Sequence, residues 1–146
     1  MPKRTALIAL ALTLVLMLTA CTGTSMAYTF NVETGEEIEV KFNTTGGYQF
    51  TQSGGDMFLK DRGGSVILTG YFLLPETYEV FTREPGLKDG TTESGDKYQY
   101  DVDAAGTVVF LAKAPNAKAG ILFYSGEAAD MDDCISVFER LSFSVK

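Results

Sequence analysis

The chain has 146 residues, of which 45% are hydrophobic, and a formal net charge of −7, which suits a single globular domain. It contains neither His nor Trp, so the usual metal ligand, the usual general base and the Ser-His and Cys-His nucleophile pairs are excluded. The acidic balance also argues against a nucleic-acid partner. We therefore expect a protein that is not an enzyme and that holds no cofactor and no metal ion.

The first 20 residues have the three parts of a secretion signal. Lys3 and Arg4 form a basic start, residues 6–18 are almost entirely apolar, and Ala20 closes the segment. The apolar run is shorter than the ~20 residues that a membrane-spanning helix needs. We therefore expect residues 1–20 to be a signal peptide that is removed.

The end of this segment, Leu18-Thr19-Ala20-Cys21, resembles the lipobox of bacterial lipoproteins. The resemblance implies that Cys21 receives a diacylglycerol thioether and becomes the acylated N-terminus, a reaction for which a thiolate is the suitable nucleophile. It implies a lipid-anchored protein of the cell membrane or outer membrane, facing the extracytoplasmic side. Two alternatives stay open: Ser25-Met26-Ala27 fits an ordinary cleavage site that would release a secreted protein, and the signal could remain as an uncleaved anchor.

Removal of the signal takes away Lys3 and Arg4 and changes the net charge from −7 to −9. A surface this acidic does not dock on anionic lipid by charge, so the acyl chains must attach the domain to the bilayer. With Cys21 acylated, Cys134 has no partner for an intramolecular disulfide. Because Cys134 lies on an apolar face at helical spacing, we expect a buried, unreactive thiol.

Residues 21–27 are small and mostly polar, which predicts a short tether, and one domain is expected over residues 28–146. Alternation of apolar and polar side chains predicts a series of strands joined by short glycine-rich turns. These predicted strands cover residues 28–32, 38–42, 48–52, 57–60 and 65–74.

The middle of the chain is less regular. Pro75 suits the first position of a helix and predicts a short helix over 75–83. Residues 84–97 are rich in Gly, Pro, Asp and Thr, which predicts the longest mobile loop and a second candidate contact surface. A hairpin is expected over 98–113 and a buried strand over 121–125.

The clearest helix is predicted over residues 127–141, because apolar residues recur there on one face. Acidic residues near its start and Arg140 near its end suit the helix dipole. A closing strand is expected over 142–146. The predicted fold class is α+β, an antiparallel β-sheet meander with a C-terminal strand-helix-strand whose helix packs on one face of the sheet.

This order of elements, together with the ending Phe138-Glu139-Arg140-Leu141-Ser142-Phe143, is similar to the PsbP/Mog1-like α+β domains. Small lipoproteins of anaerobic bacteria with a Thr-Thr-Gly-Gly-Tyr loop look alike as well. The resemblance implies this fold and points to binding or scaffold modules. Together with the absence of His and of a metal-binding cluster in the sequence, it predicts a non-catalytic binding or accessory module of unknown ligand, with a possible protein or peptide partner.

A second resemblance suggests an alternative function. Residues 35–48 resemble the first inhibitory loop of the chagasin-like cysteine-protease inhibitors, which carry Gly-Glu, an alternating strand and Asn-Pro-Thr-Thr-Gly-aromatic. Here the Pro after Asn43 is missing, one Gly is extra, and no Trp exists to form that family's Arg-Pro-Trp loop. The resemblance implies protease inhibition through the Asn43–Tyr48 loop, whose candidate binding residues are Thr44, Thr45, Gly46, Gly47 and Tyr48.

Overall fold

The computed structural model describes residues 24–146. The predicted signal peptide over 1–20 and the predicted acylation site at Cys21 lie outside the described residues. Within residues 24–146, no helix has the length and apolar character needed to cross a membrane.

The described chain is built mainly of strands, with two short helices. The strands are β1 (Ser25–Asn31), β2 (Glu37–Asn43), β3 (Gln49–Ser53), β4 (Asp56–Lys60), β5 (Val66–Leu73), β6 (Lys88–Thr91), β7 (Lys97–Val102), β8 (Val108–Ala112), β9 (Gly120–Tyr124) and β10 (Leu141–Val145). The helices are α1 (Pro75–Thr82) and α2 (Met131–Phe138).

These strands form two antiparallel sheets. The large sheet has the order β3-β4-β5-β9-β8-β7-β6, and the small sheet has the order β1-β2-β10. The predicted α+β class therefore holds in outline, with strands dominating. The expected single meander is replaced by two sheets. Among the described strands, β2 pairs with β1 and β10 and not with β3, so the β1–β2 hairpin and β10 form a sheet of their own.

The main core lies between the two sheets. Ile38, Val40 and Phe42 of the small sheet are fully buried against aliphatic and aromatic side chains of the large sheet. Phe138 of α2 lies at the centre of this core, with its ring stacked on that of Phe110 at 4.4 Å between centroids. Aromatic contacts of this kind contribute beyond the area that they bury.

A smaller cluster occupies the outer face of the large sheet. Leu73, Leu111 and Leu122 are buried there, and Tyr78 and Phe81 of α1 pack against them. The prediction of a short helix beginning at Pro75 is confirmed. Because α1 has only eight residues, it covers the centre of this face and leaves the β6–β7 edge open.

Residues 84–97, predicted as one long mobile loop, contain the strand β6. Lys88–Thr91 pairs with β7, with Gly90 directly opposite Tyr98. The prediction of a continuous loop was wrong. The strand could not be recognised from the sequence because it has no apolar side chain and so shows no alternating pattern. Its pairing depends on the Tyr98 ring, which occupies the space that a side chain at position 90 would need.

The C-terminal helix is shorter than the predicted 127–141. Ala128 has a positive φ of 52°, and Asp130 caps the helix by accepting a hydrogen bond from the Asp133 amide at 3.0 Å, so α2 begins only at Met131. At the other end α2 stops at Phe138, and Leu141 belongs to β10. Arg140 therefore lies outside the helix whose dipole it was expected to match.

The first strand begins earlier than expected. Ser25, Met26 and Ala27 pair with residues of β2, so the last part of the predicted tether over 21–27 is strand β1. The folded domain consequently starts within a few residues of Cys21.

Candidate functional site

The loop from Thr44 to Tyr48, singled out by the sequence, is held by two arginines. Arg140 donates from Nη1 to the carbonyl oxygens of Asn43 at 3.0 Å and Thr45 at 2.8 Å. Its guanidinium also lies over the Tyr48 ring, 4.1 Å from the centroid. These contacts anchor the loop to the segment between α2 and β10.

Arg62, in the turn between β4 and β5, fixes the middle of the same loop. Its Nε and Nη2 donate to the Gly46 carbonyl at 3.0 and 2.8 Å. Gly47 has φ of 92°, and a Cβ there would lie 3.0 Å from Cγ of Arg62. The glycine that is extra relative to the chagasin-like pattern is therefore required by the backbone conformation and by the close approach of Arg62.

The loop lies beside the start of the described chain. The amide of Thr44 donates to the carbonyl of Thr24 at 2.8 Å, and Nδ2 of Asn43 donates to a carboxylate oxygen of Glu93 at 3.4 Å. A small cavity of about 280 Å³ at this end is lined by Ser25, Lys41, Asn43, Glu93, Ser94, Arg140 and Ser142. Thr45, Gly46 and Gly47 are exposed. The loop therefore presents to the solvent a backbone that Arg62 and Arg140 hold in place.

A larger groove of about 510 Å³ lies between α1 and the β6–β7 edge of the large sheet. Asp89 and Thr91 of β6 stand directly opposite Gln99 and Lys97 of β7, so the four side chains share one face of the sheet. The residues that line the groove are Tyr78, Asp89, Gly90, Thr91, Lys97, Tyr98, Gln99 and Leu111.

The groove combines charged and polar side chains with an apolar surface. Among residues 24–146, the side chains of Asp89, Lys97 and Gln99 form no hydrogen bond and no ion pair. A carboxylate, an ammonium group and an amide are therefore available in the groove. Leu111 forms the apolar floor of the groove, and the ring of Tyr78 forms one wall. Burial raises the pKa of the Tyr78 hydroxyl. A few polar groups around an apolar surface are typical of small-molecule sites.

One glycine lets the helix approach the sheet closely enough to form the wall. A Cβ at Gly120, the first residue of β9, would overlap the ring of Tyr78. Nζ of Lys113 also lies over the Tyr78 ring, 5.7 Å from its centroid. The sequence marked the segment 84–97 as a contact surface but did not identify the groove, because its wall comes from α1 and its floor from β8.

A third depression of about 350 Å³ lies at the far turn of the β1–β2 hairpin. Its rim includes the acidic residues Glu33 and Asp56, and its floor includes Phe30 and Phe72. The residues that line it include acidic but no basic side chains, whereas the groove beside α1 is lined by both Asp89 and Lys97.

Other candidate chemistry is weaker. Cys134 is 2% exposed, and burial raises the pKa of its thiol, which makes it a poor nucleophile. Among the described residues, no group of three or more His, Cys, Asp or Glu side chains is arranged to hold a metal ion.

Comparison of the chain with protein-family models gave no match, and comparisons with curated proteins and with solved structures gave none either. Function is therefore inferred from the chain's own residues.

Proposed function

We propose that this protein is an extracytoplasmic lipoprotein, anchored through acylated Cys21, that binds a small polar ligand without catalysis in the groove between α1 and the β6–β7 edge. The observation that carries the ligand site is the set of unengaged side chains of Asp89, Lys97 and Gln99 around the apolar surface of Leu111. They offer a negative charge, a positive charge and an amide, which suits a ligand that carries both hydrogen-bond donors and acceptors.

The anchor is supported by the lipobox-like Leu18-Thr19-Ala20-Cys21. Membrane fractionation of the full chain and of Cys21→Ala tests it. We expect the full chain to stay with the membrane and the variant to be released or mislocalised. Identical fractionation of the two proteins would contradict the anchor.

The ligand site is tested by following backbone amide signals of the chain from residue 21, carrying Cys21→Ser, during titration with a panel of sugars, amino acids and dipeptides. We expect at least one compound to shift the signals of Asp89, Lys97 and Gln99 together. Gln99→Ala should weaken that response, whereas Gln49→Ala, which removes a glutamine side chain from β3 outside the groove, should leave it unchanged. Shifts confined to another part of the domain would reject the groove.

Protease inhibition by the Thr44–Tyr48 loop is the second candidate. This function is favoured by the rigidity that Arg62 and Arg140 impose on an exposed loop. A preorganised loop loses little conformational entropy when it binds a partner. An assay against a papain-type protease decides the matter. Inhibition at micromolar protein that is lost in Arg62→Gln would support this function, and an absence of inhibition removes it.

A further inference from the structure

The end of the domain that carries the Thr44–Tyr48 loop is tied to the chain just beyond the predicted acylation site. Thr24 is the third residue after Cys21, and an extended chain of three residue steps reaches at most ~11 Å. The Thr44 amide donates a hydrogen bond of 2.8 Å to the Thr24 carbonyl. The loop therefore also lies close to Cys21, only slightly farther away than Thr24.

That reach is comparable to the thickness of the lipid headgroup layer. A bilayer of ~40–45 Å with a hydrocarbon core of ~30 Å leaves roughly 5–8 Å of headgroups on each side. The acyl chains of Cys21 would lie in the hydrocarbon core, so the cysteine itself would lie near the inner boundary of the headgroups. The loop is then within a few ångströms of the lipid phosphates, an inference that rests on the anchor proposed above.

The charge at this end is suited to phosphate, although the domain as a whole is acidic. The guanidinium groups of Arg62 and Arg140 bond only to backbone carbonyls, and within residues 24–146 neither forms an ion pair. Lys41 adds a positive charge beside Arg140, since both line the small cavity of about 280 Å³ at this end of the domain. Four carboxylates lie near this end, and each accepts a hydrogen bond from the protein. Glu93 accepts from Asn43, and Asp61 accepts from the Ser65 amide. Asp96 accepts from the Ser94 hydroxyl and the Phe143 amide, and Glu139 accepts from the Tyr98 hydroxyl.

We propose that the Thr44–Tyr48 loop, together with Arg62 and Arg140, is the membrane-contacting face of the anchored domain, and that the two guanidinium groups bind lipid phosphates. A guanidinium presents a planar fork of donors that matches phosphate oxygens. Tyr48, stacked under Arg140, supplies an aromatic ring of the kind that is favoured at the membrane interface. The contact fixes the orientation of a domain that its net charge would otherwise repel from anionic lipid.

A depth measurement tests this orientation without depending on natural acylation. The chain from residue 21 is coupled through the Cys21 thiol to a maleimide lipid in phosphatidylcholine vesicles that contain phosphatidylglycerol. Because the chain has no Trp, a single introduced indole reports its own position through quenching by a headgroup-spin-labelled lipid. Thr45→Trp places the probe in the loop, and Glu33→Trp places it at the far turn of the β1–β2 hairpin, ~20 Å away along seven residues of strand.

We expect quenching of the loop probe to be at least twofold stronger than that of the hairpin probe. Equal quenching, or stronger quenching at position 33, overturns the proposed orientation. If Cys21 is acylated in the cell but the loop probe is not quenched more strongly than the probe at position 33, only the proposed orientation is wrong. If Cys21 is not acylated, the anchor fails whatever the vesicles show.

The role of the guanidinium charge is tested by Arg62→Gln in the Thr45→Trp background. Removal of one charge near an anionic surface should change the population of the loop-down orientation by ~5-fold, and high salt should abolish the difference. Arg83→Gln, which removes an exposed positive charge from the C-terminal end of α1, is the matched control. Arg62→Lys keeps the charge, and its quenching should exceed that of Arg62→Gln; equal quenching of the two variants and of the parent rejects the phosphate contact.

Discussion

The hydroxyl of Tyr98 donates a hydrogen bond of 2.6 Å to Oε1 of Glu139 and thereby joins β7 to the residue that follows α2. The ring of Tyr98 is only 3% exposed, and it packs on Phe138 at 4.8 Å between centroids. Burial, followed by the bond to Glu139, raises the pKa of Tyr98. The hydroxyl therefore remains a donor throughout the neutral pH range and links the C-terminal segment to the large sheet.

Tyr98→Phe removes this donor and keeps the ring. Because the acceptor is a charged group, we expect the free energy of unfolding in urea to fall by ~1–3 kcal/mol. Tyr124→Phe is the control, since that side chain is 40% exposed and its hydroxyl can exchange with water at little cost. Equal stability of both variants would contradict a stabilising role for the bond.

Gly70→Ala should be strongly destabilising. Gly70 stands directly opposite Phe123 in the β5–β9 pair, and a Cβ at position 70 would overlap the Phe123 ring. The ring is fully buried and contacts Phe138, so it cannot move without displacing the core. We expect a loss of ~1–3 kcal/mol in urea unfolding. Gly126→Ala, where the space is open, should change stability far less, and a similar loss there would show that steric overlap is not the cause.

Glu36→Gln tests a carboxylate that ties the β1–β2 turn to the segment before β9. The Glu36 carboxylate accepts from the Lys118 amide at 2.8 Å and from the Ala119 amide at 3.0 Å. The hydroxyl of Thr34, then the Lys118 amide, lower the pKa of Glu36 below its ordinary value of 4.5. A lowered folded-state pKa means that the carboxylate stabilises the fold above that ordinary value and that this contribution is lost as the pH falls through the folded-state pKa.

We therefore expect the melting temperature of Glu36→Gln to be lower than that of the parent at about pH 7 and the difference to shrink below about pH 4. Glu33→Gln, in the same turn and exposed, is the matched control and should melt like the parent at neutral pH. A difference between Glu36→Gln and the parent that grows on acidification would have the wrong sign for this explanation.

Cys134 should react with a thiol reagent only when the protein unfolds. Its side chain is 2% exposed, and burial raises the pKa of the thiol, so both access and thiolate content are low. In a Cys21→Ser variant, we expect at least ~10-fold slower labelling without denaturant than in urea. Rapid labelling of the folded variant would show that the thiol is accessible.

Elements whose side chains alternate could be predicted from the sequence. The pattern Ile38, Val40 and Phe42 predicted a strand that is found as β2, and the helix expected from Pro75 is found as α1. Both depend on neighbouring residues in the chain, through side-chain period and through the fixed φ of proline. A loop was also expected between these strands, and it is found between β2 and β3, although Tyr48, predicted as the first residue of the next strand, lies in the loop because β3 begins at Gln49.

Other features depend on distant partners and could not be predicted locally. The strand β6 has no apolar pattern, and it forms because Gly90 leaves room for the ring of Tyr98 on β7. Arg140 was assigned to a helix end, whereas its guanidinium reaches carbonyls nearly a hundred positions earlier in the sequence. The groove combines α1, β6, β7 and β8, so none of its four contributors indicates a site alone.

The sequence by itself determined where most strands and the first helix lie, because those depend on local periodicity and turn chemistry, and it supplied the lipobox-like motif on which the predicted anchor rests. The tertiary structure decided which strands share a sheet and what Arg62 and Arg140 contact. The physical reason is that pairing of β10 with β2 and the two guanidinium contacts to the Thr44–Tyr48 loop become favourable only when distant segments meet around a common core.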